Sequence, residues 1–372
     1  MAGFGSIVLA ALALPGVHLP AHAETAPDKG LIGIKYLDYQ DSQSGEKRIR
    51  VKSPSLTVLA PINSGWALEG HLVMDDVSGA SPRRHTDLST LSGASTMDDS
   101  RTAGDVRVTH YRDRSSYSLG LSHSNEHDYR STAFSVNGNW STSDNNLTVH
   151  LGFGHADDRI NPTDGGSTGL ITDRGKKSND GLLGLTLVAS RADLFQFNVT
   201  GNFGQGYYSD PYKAEDNRPD KRKQAAFLSR WNHHFDGWGS TLRSSYRYYQ
   251  DNYGIRAHTL QFDWVNPIGG GFSLTPSVRG YTQNAASFYS EAPFVALPAA
   301  GALNSYDQRL SAFGALTLGL KASYQFADVW SVDAKGEFYR QRSDWFVGGG
   351  EGSTGLAPFS ARAFQLGLSR SF

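Results

Sequence analysis

Apolar and polar side chains alternate along most of this chain. From residue 362 to residue 372 almost every second position is apolar, and polar residues or glycine fill the positions between. A period of two is that of a β-strand, which then has one apolar and one polar face. The polar face is too charged for a packed sandwich core, so the pattern predicts strands that separate lipid from water. The same pattern recurs at residues 147–154, 195–200, 316–321 and 332–339.

Segments with this pattern divide the chain into sixteen predicted strands. Each is close to the roughly 9–11 residues that a tilted strand needs to cross a bilayer. The apolar phase shifts inside the second segment, which predicts a bulge at Pro54. The predicted strands cover residues 31–40, 48–60, 65–76, 104–112, 115–124, 131–140, 146–156, 179–190, 194–207, 222–235, 239–251, 255–265, 271–284, 307–325, 328–341 and 362–372.

Short and long links alternate between these segments. Short links rich in turn-forming residues are expected at 61–65, 112–114, 141–145, 191–193, 236–238, 267–270 and 326–327. The other links include 77–103, 157–178, 208–221, 285–306 and 342–361. In outer-membrane barrels the short turns are periplasmic and the longer loops are external. The sequence therefore predicts an all-β, transmembrane antiparallel β-barrel of about 16 strands with both the N- and C-termini periplasmic, in which 77–103 and 285–306 are the links most suited to plug the lumen.

The N-terminus has the features of an export signal. Ile7–Leu14 is an apolar run, and Ala21-His22-Ala23 has the small-x-small form of a signal-peptidase site. We interpret residues 1–23 as a signal peptide and residues 24–372 as the barrel. The predicted location is the outer membrane of a Gram-negative bacterium.

Composition narrows the chemistry that the chain could perform. Lys plus Arg number 35 and Asp plus Glu number 36, so the formal charge of −1 gives no reason to expect nucleic acid as a partner. The chain has no Cys, which excludes disulfides and thiolate metal sites within it. We predict no cofactor.

Charged residues on the polar faces are candidates for the lining of the lumen. Two interpretations stay open: mutually compensating charges, or a selective lining in which Arg48, Arg50 and Lys52 on one strand and Arg243 and Arg247 on another favour anions. The candidates are Arg48, Arg50, Lys52, Glu69, His71, Arg107, Arg243, Arg247, Asp263, Arg279, Asp333, Lys335 and Glu337.

Histidine and aspartate near the predicted outer loops are candidates for metal or catalytic sites. His123, Glu126, His127 and Asp128 could surround a cation, but a solvated polar turn accounts for them better, and we predict no metal site. Barrel lipases carry His and Ser two positions apart on one strand face, and none of the twelve histidines here has Ser at that spacing. We therefore predict that the chain is not an enzyme.

Several stretches resemble known outer-membrane proteins. Phe364, Leu366, Leu368 and the aromatic Phe372 resemble the terminal signal that barrel-assembly machinery reads, although Arg370 departs from it. Further stretches are similar to an uncharacterised family of proteobacterial outer-membrane β-barrels, a domain of unknown function. They are Ile34–Asp41, Arg48–Pro54, Thr86–Ser95, Asp105–Arg112 and Ser124–Tyr129. The resemblance brings no established catalytic residues. It implies genomic neighbours that are periplasmic thioredoxin-like and flavin-attaching proteins, and hence a redox-linked export or maturation role.

Three functional hypotheses follow. The first is a porin-like channel or export conduit for a small solute. The second is a plugged barrel that serves as scaffold or partner of a periplasmic redox or lipoprotein system, and the third is a surface enzyme. The expected partners are outer-membrane lipid and lipopolysaccharide, the barrel-assembly machinery during biogenesis, and a periplasmic redox or lipoprotein component. Candidates for the aromatic girdle at the membrane interface are Trp66, Trp140, Trp231, Trp264 and Trp330.

Overall fold

Sixteen antiparallel strands pair in chain order, and the first and last strands pair with each other to close a barrel. The computed structural model describes residues 25–82, 94–213, 215–291, 299 and 301–372, and it describes the side chains of all of these except 79–82 and 94–99. The predicted signal peptide lies outside the described residues. The strands are β1 (Leu31–Gln43), β2 (Glu46–Asn63), β3 (Trp66–Pro82), β4 (Ala94–Arg112), β5 (Ser115–Asn125), β6 (Tyr129–Ser141), β7 (Leu147–Ile160), β8 (Arg174–Val188), β9 (Asp193–Gly206), β10 (Lys221–Phe235), β11 (Ser240–Asp251), β12 (Arg256–Gly269), β13 (Phe272–Gln283), β14 (Phe313–Phe326), β15 (Trp330–Arg342) and β16 (Phe359–Ser371).

The predicted number, order and period of the strands are confirmed. Each predicted segment overlaps one observed strand. The largest boundary error is at β14, which was predicted from residue 307 and begins at Phe313. Residues 307–312 instead form a short 3₁₀ turn, Gln308–Leu310, whose N-cap carboxylate on Asp307 accepts from the amide of Arg309.

The two ends of the barrel differ in the size of their links. We call the end of the barrel where β1 begins and β16 ends the terminal end. The links there have at most five residues, and the longest is 142–146. At the opposite end, which we call the loop end, the long links are 83–93, 161–173, 207–220, 284–312 and 343–358. This alternation is what the sequence predicts. That the loop end faces the outside of the cell remains a prediction.

The link predicted at 77–103 is much shorter than expected. β3 continues to Pro82 and β4 begins at Ala94, and their ladder runs from Trp66↔His110 to Pro82↔Ala94. Most of the predicted plug is therefore a hairpin that extends the barrel wall, because a regular ladder satisfies the backbone groups of this polar stretch. For the residues that belong to β3 and β4, the expectation that this link plugs the lumen was therefore wrong.

A bulge in β2 lies nearer its start than was predicted. The β1–β2 ladder runs regularly past Pro54, which pairs with Tyr36, and the register shifts only between Gln40 and Ser42. There the amide of Ile49 donates to Asp41 Oδ1 at 2.8 Å. The bulge predicted at Pro54 was therefore wrong in position, because this carboxylate stabilises the irregular pairing several residues earlier.

Alternate residues of every strand face outward, and the outward face is apolar at mid-height. On β16 the outward residues Phe364, Leu366 and Leu368 are 49%, 46% and 37% exposed, and they are flanked by Arg362 and Arg370. The distance from Arg362 to Arg370 along a tilted strand corresponds to a band of about 20 Å. No helix among the described residues is long and apolar enough to cross a membrane.

The five predicted girdle tryptophans all lie on the outward face at the terminal end. Trp66 and Trp330 begin β3 and β15, and Trp140 lies one residue from the end of β6. Trp231 stacks on Phe195 with centroids 6.3 Å apart. This clustering at one end is typical of an interface between the apolar band and polar head groups.

Candidate functional site

Four arginines lie together on one wall of the lumen, and we call them the arginine wall. Arg230 is on β10, Arg243 and Arg247 on β11, and Arg279 on β13, all at inward positions. Arg230 pairs with Ser245, which separates the two arginines of β11. Arg279 lies three strands from Arg230, in the same row of register partners that contains Ser245. With neighbouring strands about 4.8 Å apart, the four Cα atoms lie within roughly 15 Å of one another.

The hydrogen-bond partners of these arginines are neutral. Arg230 donates from Nη1 to Gln196 Oε1 at 3.0 Å, and Arg279 donates from Nη2 to Thr317 Oγ1 at 3.2 Å. Among the described residues, no carboxylate comes within 4 Å of any of the four to form an ion pair. Asp263, the acidic side chain nearest in register, instead accepts from the amide of Gln261. Four cations and one anion therefore share this wall.

The arginine wall contacts solvent inside the barrel. Arg230 and Arg247 are both exposed although they point inward. The guanidinium of Arg247 lies over the ring of Tyr249, 5.3 Å from its centroid, an arrangement that holds the cation without neutralising it. Water must fill this level of the lumen, and a solute could reach the same groups.

The facing wall carries charges that are already paired. β3 lies eight strands from β11 in the sixteen-strand ring, so the two are on opposite sides. Arg107 Nη1 lies 3.2 Å from Glu69 Oε2, His71 Nδ1 lies 3.0 Å from Asp105 Oδ2, and His71 Nε2 lies 3.5 Å from Glu69 Oε1. The structure places the predicted Glu69, His71 and Arg107 in the lumen as one compensated cluster.

A third group of predicted lining residues lies on β15. Asp333, Lys335 and Glu337 all point inward, and Lys335 Nζ lies 3.1 Å from Glu337 Oε1. Gly367 occupies the row between Asp333 and Lys35. Because glycine has no side chain, the carboxylate of Asp333 lies over this position and faces Lys35. This wall is also compensated.

Two predicted lining residues lie on the wrong face. Arg50 and Lys52 share the outward face of β2 with Leu56, and Arg50 Nε donates to Asp38 Oδ1 at 3.2 Å on the outward face of β1. Arg48 lies at the bulge beside Asp41, half-buried. The prediction that these three cations line the lumen together was wrong. After the bulge, Val51 and every second residue beyond it face the lumen, so Arg50 and Lys52 lie on the outward face.

Links of the loop end fold together into a cap over the mouth of the lumen. The amide of Ser167 donates to the carbonyl of Pro211 at 2.8 Å, which joins links 161–173 and 207–220. Ala312 and Ser353 exchange two hydrogen bonds, which join links 284–312 and 343–358. The sequence identified residues 285–306 as a candidate plug, and this link provides the centre of the cap.

Residues 304–308 of link 284–312 join elements that leave the barrel on opposite sides. Asn304 pairs with Asn217 in the link after β9. Gln308 Oε1 accepts from Gln43 Nε2 at 3.4 Å, at the end of β1. β1 and β9 are eight strands apart in the ring of sixteen.

A cluster of charges is buried at the centre of the cap. The carboxylate of Asp307 is fully buried and forms ion pairs with Arg218 at 2.8 Å, with Lys213 at 3.2 Å and with Arg309. Burial alone would raise the pKa of Asp307, but the charges of Arg309, Lys213 and Arg218 hold that pKa well below its ordinary value. One carboxylate thus connects the link after β9 to the link before β14.

An apolar cluster packs beneath this ion cluster. Tyr253, Ile255, Phe288 and Leu310 are buried together, and Tyr253 meets Phe288 edge to face with centroids 5.0 Å apart. The hydroxyl of Tyr253 donates to the carbonyl of Pro219 at 2.9 Å. Apolar packing of this kind makes the cap a folded unit.

The cap is expected to keep its structure from about pH 8 to about pH 5. A carboxyl whose folded-state pKa lies below its unfolded value of about 3.9 contributes stability above that value, and it loses this contribution as pH falls through the folded pKa. The lowered pKa of Asp307 puts the loss in strongly acidic solution. The rate at which protease cuts links 207–220 and 284–312 in the refolded barrel measures this. Faster cutting already at about pH 5 would contradict it.

The histidines and paired aspartates whose side chains the structure describes do not assemble a metal site. Among the residues that the structure describes, no three His, Asp or Glu side chains are placed to hold a metal ion. Asp157 points outward to Lys177 at 3.2 Å, whereas its neighbour Asp158 points inward to Lys176 at 3.1 Å. Alternation along the strand separates adjacent carboxylates, which explains why a run of two does not chelate.

Sequence reasoning missed Arg230 and the ion cluster of the cap. Arg230 could have been found, because it shares the polar phase of β10 with Gln224 and Asn232 while Phe227 and Trp231 share the other phase. The ion cluster gave no such signal, since its members come from links with no period.

Comparisons with solved structures show the fold. The chain is 9% identical to a bacterial polysaccharide outer membrane secretin, with a TM-score of 0.53 over 92% of this chain and 98% of the other. It is 8% identical to CdiB from Acinetobacter baumannii, with a TM-score of 0.50 over 91% of this chain and 60% of the other. For OmpTdeltaL8 of Vibrio cholerae the identity is 8% and the TM-score 0.44, over 93% and 100%. A comparison with curated proteins finds no match.

The closed barrel, its apolar outer band and these likenesses identify an outer-membrane β-barrel of a Gram-negative bacterium. A family model described as "Protein of unknown function (DUF3570)" matches residues 4–364. The chain therefore belongs to this family.

Proposed function

We propose that this barrel is a gated channel that conducts small anionic solutes across the outer membrane. The observation that carries the proposal is the arginine wall, whose guanidinium groups face solvent in the lumen with no carboxylate partner. Unpaired cations are costly to keep together unless an anion joins them. A ring or wall of arginines is a recurrent device for favouring anions in a pore.

The asymmetry between the two walls supports the same function. The Glu69–Arg107 and His71–Asp105 pairs neutralise the wall opposite the arginines. A solute that carries a carboxylate or phosphate group would therefore be drawn to one side and orient there. Such a lining gives preference by charge rather than by size alone.

The cap gives this channel a gate. It connects links from opposite walls through Asn304–Asn217 and Gln308–Gln43. In the orientation that we propose, with the loop end outside the cell, solute in the periplasm reaches the arginine wall from the terminal end. Movement of the cap would then control exchange with the outside, as in an export conduit.

Anion selectivity is expected to depend on the arginine wall. In planar bilayers, the double variant Arg243→Glu/Arg247→Glu should reverse the preference of the open channel from chloride to potassium, because the net charge of the wall changes from positive to negative. The reversal potential in a salt gradient measures this change.

A matched control uses arginines on the outward face. Arg112→Glu/Arg370→Glu changes the total charge equally at positions that do not line the lumen. Its reversal potential should equal that of the unmodified barrel. An unchanged reversal potential in the lumen variant, or an equal shift in the control, would contradict the proposal.

A plugged barrel that acts as scaffold for a periplasmic redox or lipoprotein component is the second candidate. The folded cap favours it, because buried ion and apolar clusters stabilise a closed mouth. The two functions differ in one observable property. A scaffold should bind a periplasmic protein at its terminal end and show no conductance even after the cap is loosened.

Contacts around His71 and His150 in the lumen give little support for an enzyme. Both ring nitrogens of His71 face carboxylates, so no hydroxyl stands where a nucleophile would be activated. His150 contacts Asn139 Oδ1 at 2.7 Å and Thr186 Oγ1 at 2.9 Å within a polar ladder. No carboxylate orients this histidine in the way that a hydrolytic triad requires.

A further inference from the structure

Basic side chains are concentrated on the outward face of the barrel just beyond the apolar band at the loop end. On β16 the outward series runs from Leu366 through Phe364 to Arg362, and on β15 Phe338 is followed by Arg340. On β10 the outward residues change from Phe227 to Lys223 and Lys221. The apolar band therefore ends in cations on several strands.

One part of this belt lies over the contact between the first and last strands. We call it the seam patch and define it as Arg50, Lys52, Arg340 and Arg362. Gln40 of β1 pairs with Arg50 on one side and with Arg362 on the other. The two arginines therefore flank one residue, with Cα atoms about 10 Å apart across three strands.

The seam patch carries two positive charges in excess. Its acidic neighbours on the same face are Asp76, which lies opposite Lys52 in the ladder, and Asp38, which pairs with Arg50, whose side chain is still 48% exposed. Among the described residues, no carboxylate lies within 4 Å of the charged atoms of Lys52, Arg340 or Arg362. Guanidinium groups bind phosphate oxygens in pairs and in a fixed plane, which suits a ligand held by two arginines at once.

We propose that the seam patch binds a phosphate group of the phosphorylated glycolipid that forms the outer leaflet, the lipid A moiety of lipopolysaccharide. The patch lies at the edge of the apolar band, where acyl chains end and phosphorylated head groups begin. The opposite edge of the band carries the girdle tryptophans instead, with Arg370 stacked on Trp330 at 5.5 Å. Basic residues at one edge and aromatic residues at the other match two leaflets of different charge.

The bound lipid would also join strands that are far apart in sequence. Arg362 belongs to the last strand and Arg50 to the second, so one phosphate held by both bridges the seam. The proposal fixes the membrane orientation as well, since it places the loop end in the outer leaflet. It concerns the outward face and is independent of conduction through the lumen.

Lipid binding to the purified, delipidated barrel in neutral detergent tests the proposal. Native mass spectrometry would follow the binding of bis-phosphorylated lipid A. The triple variant Arg50→Gln/Arg340→Gln/Arg362→Gln is expected to bind lipid A at least about tenfold more weakly, because it loses the charge-assisted hydrogen bonds to phosphate. The control Arg112→Gln/Arg114→Gln/Arg370→Gln removes the same number of arginines from the terminal end and should bind like the unmodified barrel.

A gain of binding is expected from Asp38→Asn. This substitution removes the carboxylate that competes for Arg50, and it should strengthen the binding of lipid A severalfold, which misfolding could not mimic. Dephosphorylated lipid A should not bind at the patch. Equal loss in the two triple variants, no gain with Asp38→Asn, or equally tight binding of phosphatidylglycerol or inorganic phosphate would each overturn the proposal.

Discussion

Replacing Asp307 by asparagine is expected to open the channel. Asp307 is fully buried and is the carboxylate that pairs with all three of Arg218, Lys213 and Arg309, whereas Asp210 pairs with two of these cations and Asp216 with one. An amide at position 307 would leave the three cations with two carboxylates. Removing one partner from a buried ion cluster costs about 3–5 kcal/mol, because the remaining charges stay desolvated.

The expected result is a barrel whose cap separates from its mouth while the wall stays intact. The strands are stabilised by their own ladders, so the substitution should leave the β-sheet circular dichroism spectrum unchanged. Single-channel recordings should change from rare, short openings to a sustained conductance. Proteolysis should cut links 207–220 and 284–312 faster.

Asp157→Asn is the matched control for this experiment. Asp157 also pairs with a cation, Lys177 at 3.2 Å, but both side chains are exposed on the outward face. Exposed pairs of this kind contribute about 0–1 kcal/mol. The control should conduct like the unmodified barrel, and an Asp307→Asn barrel that also stays closed would show that the ion cluster does not hold the gate.

Arginine at position 260 is expected to destabilise the barrel, whereas arginine at position 261 is not. Leu260 is outward on β12 and 47% exposed to the space that lipid fills. A charged side chain near the middle of the lipid-facing band costs about 2–4 kcal/mol. Gln261, the next residue, points into the lumen, where an arginine would stay hydrated and would have the carboxylate of Asp263 as well as the cation of Arg279 beside it.

Reversible urea unfolding in lipid vesicles measures both variants. The free energy of unfolding should fall by about 2–4 kcal/mol for Leu260→Arg and by much less for Gln261→Arg. Because the two substitutions introduce the same side chain at adjacent positions, they differ only in the face that carries it. Equal loss in the two variants would mean that the assigned faces of β12 are incorrect.

The barrel itself could be predicted from the sequence because its main constraint is local. Every second residue of a strand faces lipid, so residues such as Phe364, Leu366 and Leu368 mark a strand without knowledge of its partners. Turn-forming residues then separate one strand from the next. For the same reason the girdle tryptophans and most of the lumen candidates were identified correctly.

What the sequence did not predict depends on contacts between distant residues. Arg50 and Lys52 alternate with apolar residues like lumen residues, and only the unbroken ladder from Arg50 through Leu56 shows that they share the outward face. The ion pair between Arg218 and Asp307 joins residues in different links. No period relates such residues, so the cap could be suggested from link length but not described.

The pairing of β1 with β16 has a consequence for how this protein is made. Leu31 pairs with Ser371, so the final ladder joins almost the most distant residues of the chain. Hairpins between neighbouring strands need only short loops to close, whereas this ladder must await all the others and has the largest entropic cost. The slow step of maturation should therefore be ring closure, and until it is complete two unpaired edges are open to pairing with other chains.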